Sequence, residues 1–169
     1  MVEVSKNLFV GTVDEYDKNI RHGSEFYSAI MAKEPFHRSA VGYSTRGCPK
    51  ENPEYFIARR NRCIICNLID VADMKYIPDE IVIEAVTYIR SMLCAGNKVF
   101  VCCNQGHSRS PMTALMALAC EVPYNSLEFE KAYKKFEEIY TCLDASEGIY
   151  NYAKEKWSLF QNSDYCKIT

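Results

Sequence analysis

A chain of 169 residues and 19.4 kDa, 48% hydrophobic and 25% charged, is long enough for one buried core and has an ordinary globular composition. Its net charge of −2 argues against nucleic acid or an anionic membrane surface as a bulk electrostatic partner. No apolar run approaches the roughly 18–20 residues of a membrane span and no signal-peptide pattern opens the chain, so its nine cysteines suggest a reducing cytoplasmic setting rather than a disulfide framework.

In chain order, Leu8–Val10 predicts a strand, Tyr16–His22 a helix and Tyr27–Met31 a second strand, before a long irregular segment to about Asn61. Residues 62–68 form an extended run whose β-branched centre, Ile64-Ile65, suits a buried parallel strand. A helix is expected over Asp79–Ala95, with Ile81, Ala85, Val86, Ile89 and Leu93 on one face and Gly96-Asn97 as its stop. A strand begins at Lys98. Ser126–Tyr140 reads as an amphipathic helix with Ser126 as N-cap, and Gly148–Phe160 as a last helix. Strands alternating with helices predict one α/β domain over residues 1–169, with a central, mostly parallel sheet and helices on both faces.

The segment Val99 to Pro111 carries the chemistry. An apolar strand enters a polar loop at Cys103, and a helix leaves it with Pro111 near its first turn, where a missing N–H costs nothing. Cys and Arg at this spacing alone would arise about 0.4 times by chance in a chain so rich in cysteine. Requiring Gly106 and Ser110 as well lowers that to about one in 800.

Each part of the segment has a physical role. Backbone amides of residues 104–109 curled round the sulfur, with the positive end of the following helix, favour a thiolate over a thiol. The same cradle, formed by Asn104, Gln105, Gly106, His107 and Ser108, suits three phosphate oxygens. Gly106 permits the tight curl. Arg109 offers a planar fork for two of the oxygens, and Ser110 a donor to the sulfur when it departs. The loop would lie at the carboxyl end of a strand, where such sheets bind ligands.

Cys103 to Pro111 resembles the H-C-x5-R-S/T loop of the cysteine-dependent phosphatases, within them the dual-specificity phosphatase-like branch. It matches from the cysteine onward, with Cys102 where relatives carry histidine. Asn7 to Gly11 resembles the family's opening strand, Asn67 to Asp73 its general-acid strand and loop, and Glu147 to Tyr150 its late region. Lys33 to Arg38, Gly42-Tyr43 and Pro49 to Tyr55 resemble a prokaryotic and phage-type subgroup. The resemblance implies a phosphatase working through a phosphocysteine, with no metal and no cofactor. Its substrates would be phosphotyrosine, and by extension phosphoserine or phosphothreonine, in proteins, or small phosphomonoesters.

A departing alkoxide or phenoxide needs a proton, and the family donor is an Asp about thirty residues before the cysteine. Asp70 and Asp73 both qualify. Asp73, out on the loop, is the preferred acid and then base, with Asp70 as a brace at the strand end; Asp79 reads as belonging to the following helix start. RNA 5′-phosphate and phosphoinositides are alternative substrates, the latter disfavoured by a cradle without lysine. A catalytically weak phosphate-binding module is an alternative from another class. An arsenate reductase or rhodanese lacks the companion cysteines or composition.

Cys63-Ile-Ile-Cys66 has metal-like spacing, but on a strand its two thiols would face opposite ways, so core packing is expected. Cys102, or Cys66 if it lies on the neighbouring strand, is a candidate to trap an oxidised Cys103. His107 is expected at the rim, while His22 and His37 have no assignable partner. The basic tract Arg38 to Arg62 suits either a wall selecting anionic esters or a solvated face.

Overall fold

A computed structural model describes residues 1–162. Six strands form one sheet: β1 (Val2–Ser5), β2 (Leu8–Thr12), β3 (Phe26–Ile30), β4 (Ile57–Arg60), β5 (Cys63–Cys66) and β6 (Lys98–Cys103), in the order β1-β2-β6-β3-β5-β4. The β2–β6, β6–β3 and β3–β5 pairs are parallel, and antiparallel β1 and β4 close the two edges. β6 is therefore central, and its carboxyl end carries Cys103.

Among the described residues, five α-helices lie from residue 79 onward: α1 (Asp79–Cys94), α2 (Arg109–Leu118), α3 (Phe129–Ile139), α4 (Glu147–Glu155) and α5 (Trp157–Gln161). All five pack on one face of the sheet, around Val99, Val101, Leu115, Met116, Phe136 and Trp157. The opposite face holds Phe100, Cys102, Ile30 and Ile65, covered by Tyr16, Ile20 and the partly buried Phe36 from short helical turns at Tyr16–Ile20 and Lys33–His37. Helical cover on both faces is met, with the long helices confined to one. Every residue of α2 is buried, as its unbroken apolar run requires. α1 buries Ile81, Ala85, Val86 and Ile89, with Leu93 half-buried, and Gly96 ends it at φ +79°.

Several local expectations are corrected. The stretch to Asn61 is not irregular throughout, because it contains a helical turn at Lys33–His37, a short helix at Arg38–Val41 and the edge strand β4. Ser126 does not cap α3. It ends a separate turn at Tyr124–Ser126, and Glu128 occupies the cap position without a side-chain bond. The last helix breaks at Lys156 into α4 and α5. β1 adds a strand that the pattern did not announce, joined to β2 through Asn7 at φ +63°.

Alternation along strands settles the cysteine pairs. Cys63 faces one core cluster and Cys66 the other, as do Cys102 and Cys103. Cys66 is not beside β6 either. β3 lies between them, with Ile30 opposite both Ile65 and Cys102. Two strand spacings of about 4.8 Å put the Cα atoms of Cys66 and Cys103 near 10 Å apart, beyond the ~7 Å reach of a disulfide. Neither Cys66 nor Cys102 is placed to trap Cys103. Burial pushes the Cys102 and Cys66 thiols up, the behaviour of packing residues rather than nucleophiles.

Candidate active site

Cys103, Asn104, Gln105, His107, Ser108 and Arg109 line a single cavity of about 490 Å³ together with Asp70, Asp144, Ala145 and Ser146. Cys103 lies at its floor, only 2% exposed. The Ser110 hydroxyl is 3.2 Å from the Cys103 Sγ and 3.3 Å from the Gly11 carbonyl, the two acceptors competing for its one proton. The backbone amides of residues 105–108 donate to no acceptor among the described residues and immediately precede the start of α2. Free amides leading into a helix N-terminus are the donors that an anion nest uses. Gly106 adopts φ +75°, and a Cβ there would come within 3.1–3.2 Å of the Tyr140 hydroxyl, the Gly11 carbonyl and Thr12. Backbone conformation and crowding both require glycine at that position.

Arg109 is buried and held from behind. Its Nη1 donates to the carbonyls of Met31 and Leu68, both at 3.0 Å, and its Nη2 to Asn104 Oδ1 at 2.9 Å. Asn104 in turn donates to the Glu34 carbonyl at 2.9 Å. Three elements thus aim one guanidinium. Its Nε has no hydrogen-bond partner and lies 3.8 Å from Asp70 Oδ2. A buried N–H left open beside a bare nest is the donor an oxyanion would complete.

The loop after α3 supports the cradle, and sequence reading missed it. The Tyr140 hydroxyl donates to the Gly106 carbonyl at 2.9 Å, and the Asp144 amide to the His107 carbonyl at 2.8 Å. The Ser146 amide donates to Ser108 Oγ at 3.0 Å. No local pattern marks Tyr140, Asp144 or Ser146; the only available signal was the adjoining Glu147-Gly148 segment.

Asp70 and Asp73 have different surroundings. Asp70 lines the cavity, accepting from Ser108 Oγ at 3.1 Å and from the Ser146 hydroxyl. Asp73, the preferred acid by sequence, is not brought to the thiol. It caps the turn Met74–Tyr76 through a 3.0 Å bond from the Lys75 amide, and lines a separate depression with Glu147 and Lys154. Its ion pair with Lys75 at 2.6 Å holds the carboxyl below the usual range, the opposite of what a proton donor needs. Asp79 opens α1, where it accepts from the Tyr152 hydroxyl at 2.9 Å.

The remaining candidates have structural partners. Arg38 pairs with Glu34, Arg59 with Glu84, and Arg60 with Glu54, while Arg62 stacks on Tyr27. None of these arginines lines the cavity that holds Cys103. His37 is fully buried, with Nε2–H donating to the Glu54 carbonyl at 2.9 Å and Nδ1 facing the Tyr43 hydroxyl at 3.4 Å. Among the described residues, no group of three His, Cys, Asp or Glu side chains is arranged to hold a metal, and no helix is long and apolar enough to cross a membrane.

The six-stranded sheet and its covering helices have the fold of solved dual-specificity and tyrosine phosphatase structures. Solved structures share it at low identity. DUSP15 superposes with a TM-score of 0.67 at 12% identity, covering 99% of this chain and 93% of its own. A human tyrosine phosphatase-like serine/threonine/tyrosine-interacting protein gives 0.65 at 16%, covering 96% and 98%. PTP-2 phosphatase of Cydia pomonella gives 0.63 at 16%, covering 92% and 88%. No family model and no curated protein matches the sequence.

Proposed function

We propose that this chain is a phosphatase that hydrolyses phosphomonoesters through a covalent phosphocysteine at Cys103. The observation that carries the reading is one cavity lined by Cys103, Gln105, His107, Ser108 and Arg109, with the Ser110 hydroxyl 3.2 Å from the sulfur and an Arg109 Nε that makes no hydrogen bond. A binding module would need the nest but not the thiol at its floor.

The phosphate dianion enters the nest, where the amides and Arg109 take its equatorial oxygens. The Cys103 thiolate attacks in line: an S–P bond forms as the P–O bond to the leaving group breaks. Asp70 delivers its proton to the departing oxygen. The resulting carboxylate then takes a proton from water, whose oxygen forms a new P–O bond. The S–P bond breaks and the thiolate leaves, stabilised by the Ser110 hydroxyl. Fixed donors follow the charge throughout, which lowers the barrier without reorganisation. Asp70 replaces Asp73 in the acid role because it shares the cavity with Cys103.

The substrate class we propose is phosphotyrosine, with phosphoserine or phosphothreonine, carried on proteins. Two carboxylates, Asp70 and Asp144, line the cavity with Arg109 and without lysine, which disfavours polyanions such as inositol polyphosphates or a 5′-polyphosphate. The test is hydrolysis of phenyl phosphate, whose basic leaving group needs the proton, in reductant and EDTA. Cys103→Ser should abolish turnover, Asp70→Asn should lower it by about 10²-fold or more, and Asp73→Asn should leave it within about twofold. Loss with Asp73→Asn but not Asp70→Asn would reverse the acid assignment. Phosphopeptide binding without turnover by the reduced wild type would make the chain a reader of phosphate.

A further inference from the structure

Ser146 occupies the N-cap of α4, where a serine hydroxyl ordinarily accepts a hydrogen bond from an amide of the first turn. Here it makes no such bond. The hydroxyl instead reaches Asp70 Oδ1, seventy-six residues away in sequence, while its own backbone amide donates 3.0 Å to Ser108 Oγ. Ser108 Oγ completes the triangle at 3.1 Å from Asp70 and 3.2 Å from Ser146 Oγ. The backbone behind Asp70 docks on the same helix end: the Gly148 amide donates to the Val71 carbonyl at 3.2 Å. An available local cap has thus been given up for a contact that orients a carboxylate in the cavity.

We propose that Ser146 is the positioning residue for the proton donor, holding the Asp70 carboxyl against the phosphate loop so that its other oxygen faces the departing group. The proposal rests on Asp70 as the acid. Ser108 also reaches Asp70 Oδ1, at 3.1 Å, but the Ser146 hydroxyl is the closer donor, and a carboxyl held by two donors is fixed in direction where one leaves it free to swing. Without the Ser146 hydroxyl the Asp70 side chain, exposed to water on its open side, gains rotamer freedom and spends less time in the productive geometry.

The test uses two aryl esters that differ in their need for a proton. Phenyl phosphate expels a basic phenoxide and depends on the acid, whereas p-nitrophenyl phosphate expels a stabilised one. Ser146→Ala should lower kcat for phenyl phosphate about tenfold and for p-nitrophenyl phosphate no more than about twofold, with KM little changed. Ser146→Thr, which keeps the hydroxyl, should recover most of the phenyl phosphate rate. Equal losses on both esters, or no loss on either, would overturn the proposal, as would a threonine variant no better than alanine. The companion variant Asp70→Asn separates the layers: if it shows no bias between the esters, the acid assignment fails first, and an inactive wild type removes the phosphatase reading itself.

Discussion

Replacing Gly148 by alanine tests how the loop that carries Asp70 is held. A Cβ at this position would stand 2.2 Å from the Val71 carbonyl oxygen, 3.0 Å from its carbon and 3.3 Å from the carbonyl carbon of Ala72. Ordinary carbon–oxygen contact lies near 3.2 Å, so one partner must retreat by about 1 Å. α4 is anchored by buried Ile149, Tyr152 and Ala153, while Asp70 and Ala72 are exposed and Val71 is half-buried. The loop therefore yields, carrying Asp70 with it. Alanine in place of glycine favours the helix by roughly 0.5–1 kcal/mol, against roughly 1–3 kcal/mol for overpacking, so net destabilisation should stay near 1–2 kcal/mol. A displacement of about 1 Å at a reacting group costs about 10²-fold in rate. Gly148→Ala should thus remain folded by thermal melt yet lose about 10²-fold in kcat on phenyl phosphate, with a smaller loss on p-nitrophenyl phosphate. A folded variant with a phenyl phosphate rate within twofold of wild type would refute the argument that this contact sets the position of Asp70.

Arg109→Lys should lower kcat/KM for p-nitrophenyl phosphate by about 10²–10³-fold, because one ammonium cannot satisfy Met31, Leu68 and Asn104 and still present a fork to phosphate; retention of a tenth of the activity would count against the bidentate role. Stability should fall with pH between about 7 and 5 through His37, whose burial lowers its pKa from 6.5. The sign follows from linkage: below 6.5 the unfolded chain binds a proton that the folded chain resists, so the contribution is complete above that pH and is lost as pH falls. Urea midpoints at pH 7 and 5 should differ for wild type and converge for His37→Gln. Glu34 and Glu54, held below their usual 4.5 chiefly by hydrogen bonds from Arg38 and Arg60, act in the same direction only in more acidic solution.

By itself the sequence singled out the proposed reactive centre, because Cys103 to Pro111 is a local device. Strand, curled glycine, forked cation and helix start are consecutive, so short-range stereochemistry orders them with little help from the rest of the chain. The central strands and the buried helix α2 were legible for the same reason, through unbroken β-branched or apolar runs. Only the tertiary structure separates Asp70 from Asp73. Three residues apart on one loop, they differ only in what docks against them: Ser146 and Gly148 of α4 bring Asp70 to the cavity, and Lys75 holds Asp73 away from it. Strand order likewise came from long-range pairing, which placed β3 between Cys66 and Cys103 and removed the disulfide that spacing had allowed. The supports at Tyr140, Asp144 and Ser146 act largely through backbone amides and hydroxyls from more than thirty residues away. Such contacts leave no periodicity in the sequence, so they became visible only when the chain was folded.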